Sequence, residues 1–259
     1  MSGAFDLDRI VRDAGVATVD YHESILSTNT RGLELAACAK QRLPLLILAN
    51  EQQAGRGRGT NQWWSGSGAL TFSLLCDSAA MGIPPQHLPL VSLTIGLAVA
   101  DAIDQIVHGC DVRLKWPNDV YLSGRKVCGI LVETSSQRAG LIVIGVGINV
   151  NNSLAEAPRP LGLTATSLID ATGREWDRTE LLITLLRCFT KRLESIGHGG
   201  QLADAWRQRC YLQGRTLQLD TGTRRITGVC HGIDDQGALL LFTEEGIQRC
   251  FAGVVARII

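Results

Sequence analysis

Apolar and polar positions in this chain fall into two rhythms. Runs of strand length at 45–48, 70–75, 112–116, 126–133 and 141–150 are dense in Leu, Ile and Val. They are bounded by Gly, Pro, Asn or Ser, the residues that punctuate strands. A run at 19–25 predicts a further strand, after a short helix and lead-in over residues 1–20. Leu33, Ala36 and Ala37 recur at helical spacing, and residues 88–107, 179–193 and 201–211 also read as helices. Residues 77–87, with Gly82, Pro84 and Pro85, read as a loop. From 112 to 150 the order is strand, turn, strand, turn, strand, which gives an antiparallel or mixed sheet rather than a doubly wound one. Gly145 and Gly147 inside the last of these strands mark a place where something packs close. From about residue 212 the runs shorten to 216–219, 226–231, 238–241 and 247–251, separated by Gly and Asp turns. That spacing predicts a small β-barrel. The expected fold class is α+β: a mixed β-sheet with flanking helices over 1–211, then a small β-barrel domain over 212–259.

Composition narrows the function more than the fold. The 259 residues are 45% hydrophobic and 19% charged, enough for a sizeable core. Formal net charge is +0, so no global field draws the chain to nucleic acid or an anionic membrane, and any affinity for anions is local. The 8 cysteines are scattered, with no CxxC or Cys/His cluster, which argues against structural zinc. Buried free thiols in a reducing cytoplasm are the expectation. Asp6, Asp8, Arg9, Arg12 and Asp13 break up the first stretch, so no signal peptide is read there. The longest apolar segment, 88–106, is interrupted by Ser92, Thr94, Asp101 and Asp104 and reads as a core helix rather than a membrane span.

Candidate chemistry centres on GRGRG at 55–59, followed by Trp63 and Trp64. Glycine lets backbone approach a ligand closely. Arginine brings a permanent charge and a planar fork suited to carboxylate and phosphate. The loop lies between two strand-like runs rather than in low-complexity sequence, so a scaffolded anion site is favoured over an RGG-like nucleic-acid segment. Ser27, Thr28 and Asn29 fit a helix N-cap, which also presents free N–H groups to a polar ligand. Lys126, at the head of an apolar strand, reads either as a surface lysine or as a cation awaiting an anion. Asn118 and Asn149 need hydrogen-bond partners in their apolar settings. Asp119 reads either as a magnesium ligand through water or as an ordinary turn residue. No Walker-type loop, GxSxG or HExxH is present, and the five histidines are not paired at metal spacing. What remains is an anion-clamping site without an evident nucleophile, suited to group activation by positioning and charge neutralisation.

Taken together, STN at 27–29, QQAGRGR at 52–58, WWS at 63–65, KWPND at 115–119, K-x-x-GIL at 126–131 and G-x-GIN at 145–149 resemble the biotin–protein ligase family. The match runs in order from Ser27 to the end. The resemblance implies a mixed sheet related to lipoate ligases and class II aminoacyl-tRNA synthetases, with a C-terminal barrel of the Src-homology-3 type. It implies activation of biotin by ATP, with Mg2+, to biotinyl-5′-AMP. Transfer to a lysine of a biotin carboxyl carrier protein follows. By the same analogy Ser27, Thr28, Asn29 and Gln52 hold the biotin head, and Arg56, Gly57 and Arg58 lie on carboxylate and phosphate. Lys126 sits at the reacting carboxylate, Trp63 covers the adenine side, and Asn149 contacts the nucleotide, with Asp119 nearby as a weak metal candidate. The sequence departs from the family at Gly59-Thr60-Asn61, at Gly66 and at Cys128. Only 26 residues precede Ser27, so a ligase without a DNA-binding domain is expected, with neither nucleic acid nor membrane as partner. A homodimer is compatible with the sequence. A lipoate or other acyl-adenylating ligase, a DNA-binding biotin sensor and a non-catalytic biotin-binding module are the rival readings.

Overall fold

The computed structural model describes residues 4–38, 41–196 and 202–259; Gln201, at the head of the last predicted helix, lies outside them. The chain opens with α1 (Leu7–Asp13), β1 (Thr18–Ile25), α2 (Thr28–Ala36), β2 (Leu45–Gln52) and β3 (Leu70–Asp77). A 3-10 turn at Pro85–Leu90 runs into α3 (Val91–Ile106), and then come β4 (Val112–Lys115), β5 (Asp119–Leu122), β6 (Arg125–Thr134) and β7 (Leu141–Ile148). Helices α4 (Leu161–Thr164), α5 (Leu168–Thr172), α6 (Arg178–Leu193) and α7 (Leu202–Arg209) follow. The chain ends with β8 (Thr216–Asp220), β9 (Arg225–Ile233), β10 (Leu239–Thr243), β11 (Gly246–Cys250) and β12 (Val254–Ile258).

The first seven strands form one mixed sheet in the order β1-β2-β3-β7-β6-β5-β4. Only β1 and β2 run parallel; the other neighbours are antiparallel. Alternation along each strand sorts its residues onto two faces. On β7, Ile142, Ile144, Val146 and Ile148 enter the main core with α3 and α6, while Leu141 and Val143 enter a smaller core under α2. Helix α3 is apolar nearly all round because it contacts the sheet on one side and α6 on the other. The stretch Pro85–Ile106 is long and apolar enough to cross a membrane, but 67% of its apolar 18-residue window is buried inside the molecule, as a core helix requires. Its α-helical ladder starts at Val91 rather than 88, since Pro89 has no N–H to donate.

The C-terminal strands form a separate antiparallel sheet in the order β11-β10-β9-β8-β12. β11 and β12 are its two ends; the ladders establish the sheet, not its closure into a barrel. β12 is an element the sequence pattern passes over: Val254 and two further positions are exposed, so it carries no strong alternation. The segment leading from α7 into the second sheet is fastened to the first where Tyr211 N–H donates to Leu114 O at 2.8 Å, along the free edge of β4. Trp116, buried within the KWPND turn, donates its indole N–H to Gly237 O at 3.1 Å.

Candidate active site

A cavity of about 710 Å³ opens on the α2 face of the large sheet. It exists because β7 changes character along its length. The positions that carry Leu141 and Val143 under α2 continue as Gly145 and Gly147, so the face loses its side chains. A Cβ on Gly145 would stand 1.8 Å from Asn29 Oδ1, and one on Gly147 would stand 2.3 Å from Trp63 Cε2. Gly129 pairs with Gly147 across β6 and β7 and also lies against the Trp63 ring. The glycines thus form a floor that seats an asparagine at one end and an indole at the other.

At the asparagine end the walls are a closed hydrogen-bond network. Ser27 caps α2, accepting from Thr30 N–H. Gln52, from the end of β2, accepts from the Thr28 N–H at 2.8 Å and from the Thr28 hydroxyl at 3.1 Å. Ser73 from β3 donates to Asn29 Oδ1 at 2.6 Å and lies 2.8 Å from Thr28 Oγ1. Ser27, Thr28, Asn29 and Ser73 are all buried, between 0% and 4% exposed. Buried polar groups are tolerated only when paired, and here every one is.

The GRGRG stretch folds back on itself as a small hairpin. Gly57 N–H donates to Asn61 O at 2.8 Å and Trp63 N–H to Gly55 O at 2.8 Å. Gly59 takes φ +61, which a residue with a side chain rarely adopts. The Arg56 guanidinium projects onto Glu133 of β6 in a two-pronged contact, Nη2 to Oε1 at 2.8 Å and Nη1 to Oε2 at 3.0 Å. Arg58 has no side-chain partner among the described residues and lines the cavity.

Lys126 reaches the same cavity through a bulge. Strict alternation from Gly129 would send Lys126 to the core face. The β5–β6 register shifts here: Val120 pairs with Cys128 and Tyr121 with Lys126, so Val127 is the extra residue. Val127 and Cys128 both go into the core, and Lys126 turns to the cavity. Its Nζ lies 2.6 Å from Asp119 Oδ1 and 5.8 Å from the Trp63 ring centroid. Cys128 is no nucleophile, because burial holds its thiol well above its ordinary pKa. Lys115 also lines the cavity and donates to Tyr121 OH, whose own pKa burial raises to about 12. Arg56, Arg58, Lys115 and Lys126 are four cations on the walls, against two carboxylates, Asp119 on the wall and Glu133 behind Arg56. A chain of net charge +0 therefore concentrates positive charge at one place.

The cavity brings together Ser27, Thr28, Asn29, Gln52, Arg56, Gly57, Arg58, Trp63, Asp119 and Lys126. Asn149 is the departure. It is 3% exposed and not on the cavity wall; its amide donates to Thr166 O at 3.1 Å and accepts from Asn152 Nδ2 at 3.0 Å. Its polar atoms are engaged in holding the 149–152 turn. The motifs leave Glu133 without a role, although an acidic residue closing an apolar strand is a signal in itself. Among the described residues no three His, Cys, Asp or Glu side chains converge as metal ligands, and Asp119 is engaged by Lys126. Of the 8 free cysteines, six are buried, Cys110 is half-buried and Cys38 is exposed, a partial departure from the expectation of buried thiols.

Comparison with known proteins identifies the family of this chain. The biotin/lipoate A/B protein ligase family matches residues 21–149, and the biotin protein ligase C-terminal domain matches 214–256. The biotin–[acetyl-CoA-carboxylase] ligase of Paracoccus denitrificans is 35% identical over 232 residues, 86% of this chain and 93% of that protein. The bifunctional ligase/repressor BirA of Bacillus subtilis is 34% identical over 239 residues, 90% of this chain and 71% of that one. Among solved structures, the biotin protein ligase from Aquifex aeolicus in complex with biotin and ATP superposes with a TM-score of 0.78 at 30% identity, covering 92% of this chain and 97% of that one. On this likeness the chain belongs to the biotin/lipoate A/B protein ligase family as an ATP-dependent biotin–protein ligase.

Proposed function

We propose that the cavity joins biotin to AMP and passes the biotinyl group to a lysine of a biotin carboxyl carrier protein. The observation that carries this reading is that Arg56 and Lys126, 70 residues apart in sequence, line one cavity with the buried N-terminus of α2. The biotin carboxylate attacks the α-phosphorus of ATP, forming a C–O–P anhydride and expelling pyrophosphate. The carrier lysine amine then attacks the biotinyl carbonyl; the amide forms, AMP leaves, and the amine proton goes to solvent. The first step joins two anions, whose repulsion in a site shielded from water is large. Lys126 and Arg56 cancel it by exchanging Asp119 and Glu133 for ligand oxygens. Arg58, without a side-chain partner among the described residues, is the third cation for the phosphate chain.

At the other end, Thr28, Asn29 and Gln52 hold the ureido head of biotin, with Ser27 fixing the helix start. Gly57 lets the hairpin backbone close over the acyl chain, and Trp63 covers the adenine. Asn149 contributes by fixing the turn after β7 rather than by touching the nucleotide. Magnesium bound with ATP would screen the phosphate charge, and Asp119 on the cavity wall is the residue that would meet it through water. The two-domain division at 211/212 is supported by the break between the two sheets. A reducing cytoplasm is supported by the unpaired cysteines. Biotin-dependent ATP–pyrophosphate exchange, followed by transfer to a purified carrier domain, tests the reading. Exchange driven by lipoate and not by biotin, or no exchange at all, would sink it.

A further inference from the structure

Glu133 joins two parts of the site that the chain keeps far apart. Its Oε1 and Oε2 accept both prongs of the Arg56 guanidinium, and Oε2 also accepts from Asn29 Nδ2 at 2.9 Å. One carboxylate on β6 thereby holds the GRGRG hairpin and the α2 N-terminus. The contact has the planar, bidentate form in which arginine recognises any carboxylate, including that of biotin. It is also inexpensive to give up. The Arg56 side chain is 42% exposed and that of Glu133 23%, and ion pairs in such settings contribute little net stability. Buried at 3–4%, the Thr28 and Asn29 network beside it has no such freedom.

Resting on the proposed role of Arg56, we propose that Glu133 is a positioning residue whose salt bridge to Arg56 is displaced by the biotin carboxylate. The internal carboxylate keeps the fork extended over the cavity and holds its place until an external carboxylate of the same shape arrives. Glu133 is therefore a rival of the substrate for one guanidinium. Removing its charge frees Arg56 for the ligand, while an amide of the same size can still accept from Asn29.

The test is calorimetric titration of the full chain with biotin and with its neutral methyl ester. The ratio of the two dissociation constants, ester over acid, reads carboxylate recognition alone. Glu133→Gln should raise that ratio about 1.5- to 5-fold. In an Arg56→Met background the same substitution should leave the ratio unchanged, because the two side chains act as one unit. A residue that only supports the fold would shift both dissociation constants together and leave the ratio alone. A ratio unmoved or lowered by Glu133→Gln, with biotin still bound and sensitive to Arg56→Met, overturns the displacement while sparing the wider reading. A wild-type ratio near one that Arg56→Met does not change overturns both, since Arg56 would then not meet the carboxylate.

Discussion

The two ends of the cavity hold their polar groups in opposite ways. At the α2 end, Ser27, Thr28, Asn29 and Ser73 are buried and bonded to one another, to Gln52 and to backbone. At the hairpin end, Arg56 and Lys126 rest on Glu133 and Asp119 in ion pairs that solvent still reaches. Burial sets the difference. A buried hydrogen bond left unmade costs about 1–3 kcal/mol, so that network is a fixed frame. A half-exposed ion pair is worth about 0–1 kcal/mol, so its cation can change partners. A neutral ring system suits the first kind of wall, and a reacting anion suits the second.

The sharpest test of the division is at its charged end. Lys126→Ala should lower biotin-dependent ATP–pyrophosphate exchange by about 10²–10³-fold, the cost of losing one electrostatic contact to the developing charge. Biotin affinity by calorimetry should move far less. Exchange at a near-normal rate would remove Lys126 from the reacting centre.

The glycine floor lets the two ends be disturbed one at a time. In Gly145→Ala the new methyl falls on Asn29 Oδ1, so the amide must move. Biotin should bind about tenfold more weakly, in line with about 1–3 kcal/mol for overfilling a packed site. In Gly147→Ala the methyl falls on the Trp63 indole instead. There the KM for ATP should rise while biotin affinity holds. If both variants lose biotin equally, the floor is one unit and the comparison fails.

Arg58 is the next case, because no carboxylate pairs with it among the described residues. Arg58→Gly should slow pyrophosphate exchange less than Lys126→Ala does and should release the adenylate, so that bystander proteins become biotinylated severalfold more. Unchanged selectivity in a mixture of carrier domain and serum albumin would count against a retaining role.

Much of this was legible in the sequence because it rests on local chemistry. Ser27 as a cap, the strand bounds around Gly145 and Gly147, and the GRGRG loop between two strands all depend on near neighbours. What was not legible depends on register. Period-two alternation puts Lys126 on the wrong face, and only the bulge at Val127 corrects it. The resemblance implies that Asn149 contacts the nucleotide, and its apolar strand says only that it needs partners; those partners, Thr166 and Asn152, come from a segment with no clear pattern of its own. Glu133 was visible as a residue but not as a link, since its two partners lie 77 and 104 positions away.

The smallest expected effect is at the fixed end. Ser73 is fully buried on β3, and its hydroxyl is the common neighbour of Thr28 Oγ1 and Asn29 Oδ1. Ser73→Ala removes the donor that Asn29 Oδ1 depends on and creates almost no void. Denaturant unfolding should show a loss of about 1–2 kcal/mol, the cost of stranding a buried acceptor. Because Asn29 is still held by Leu131 O and Glu133 through its Nδ2, its position should survive and biotin affinity should fall only slightly. If Ser73→Ala leaves stability untouched while biotin binding collapses, the α2 end is not a fixed frame. Its hydroxyl would then be spent on the ligand, as the cations are at the other end.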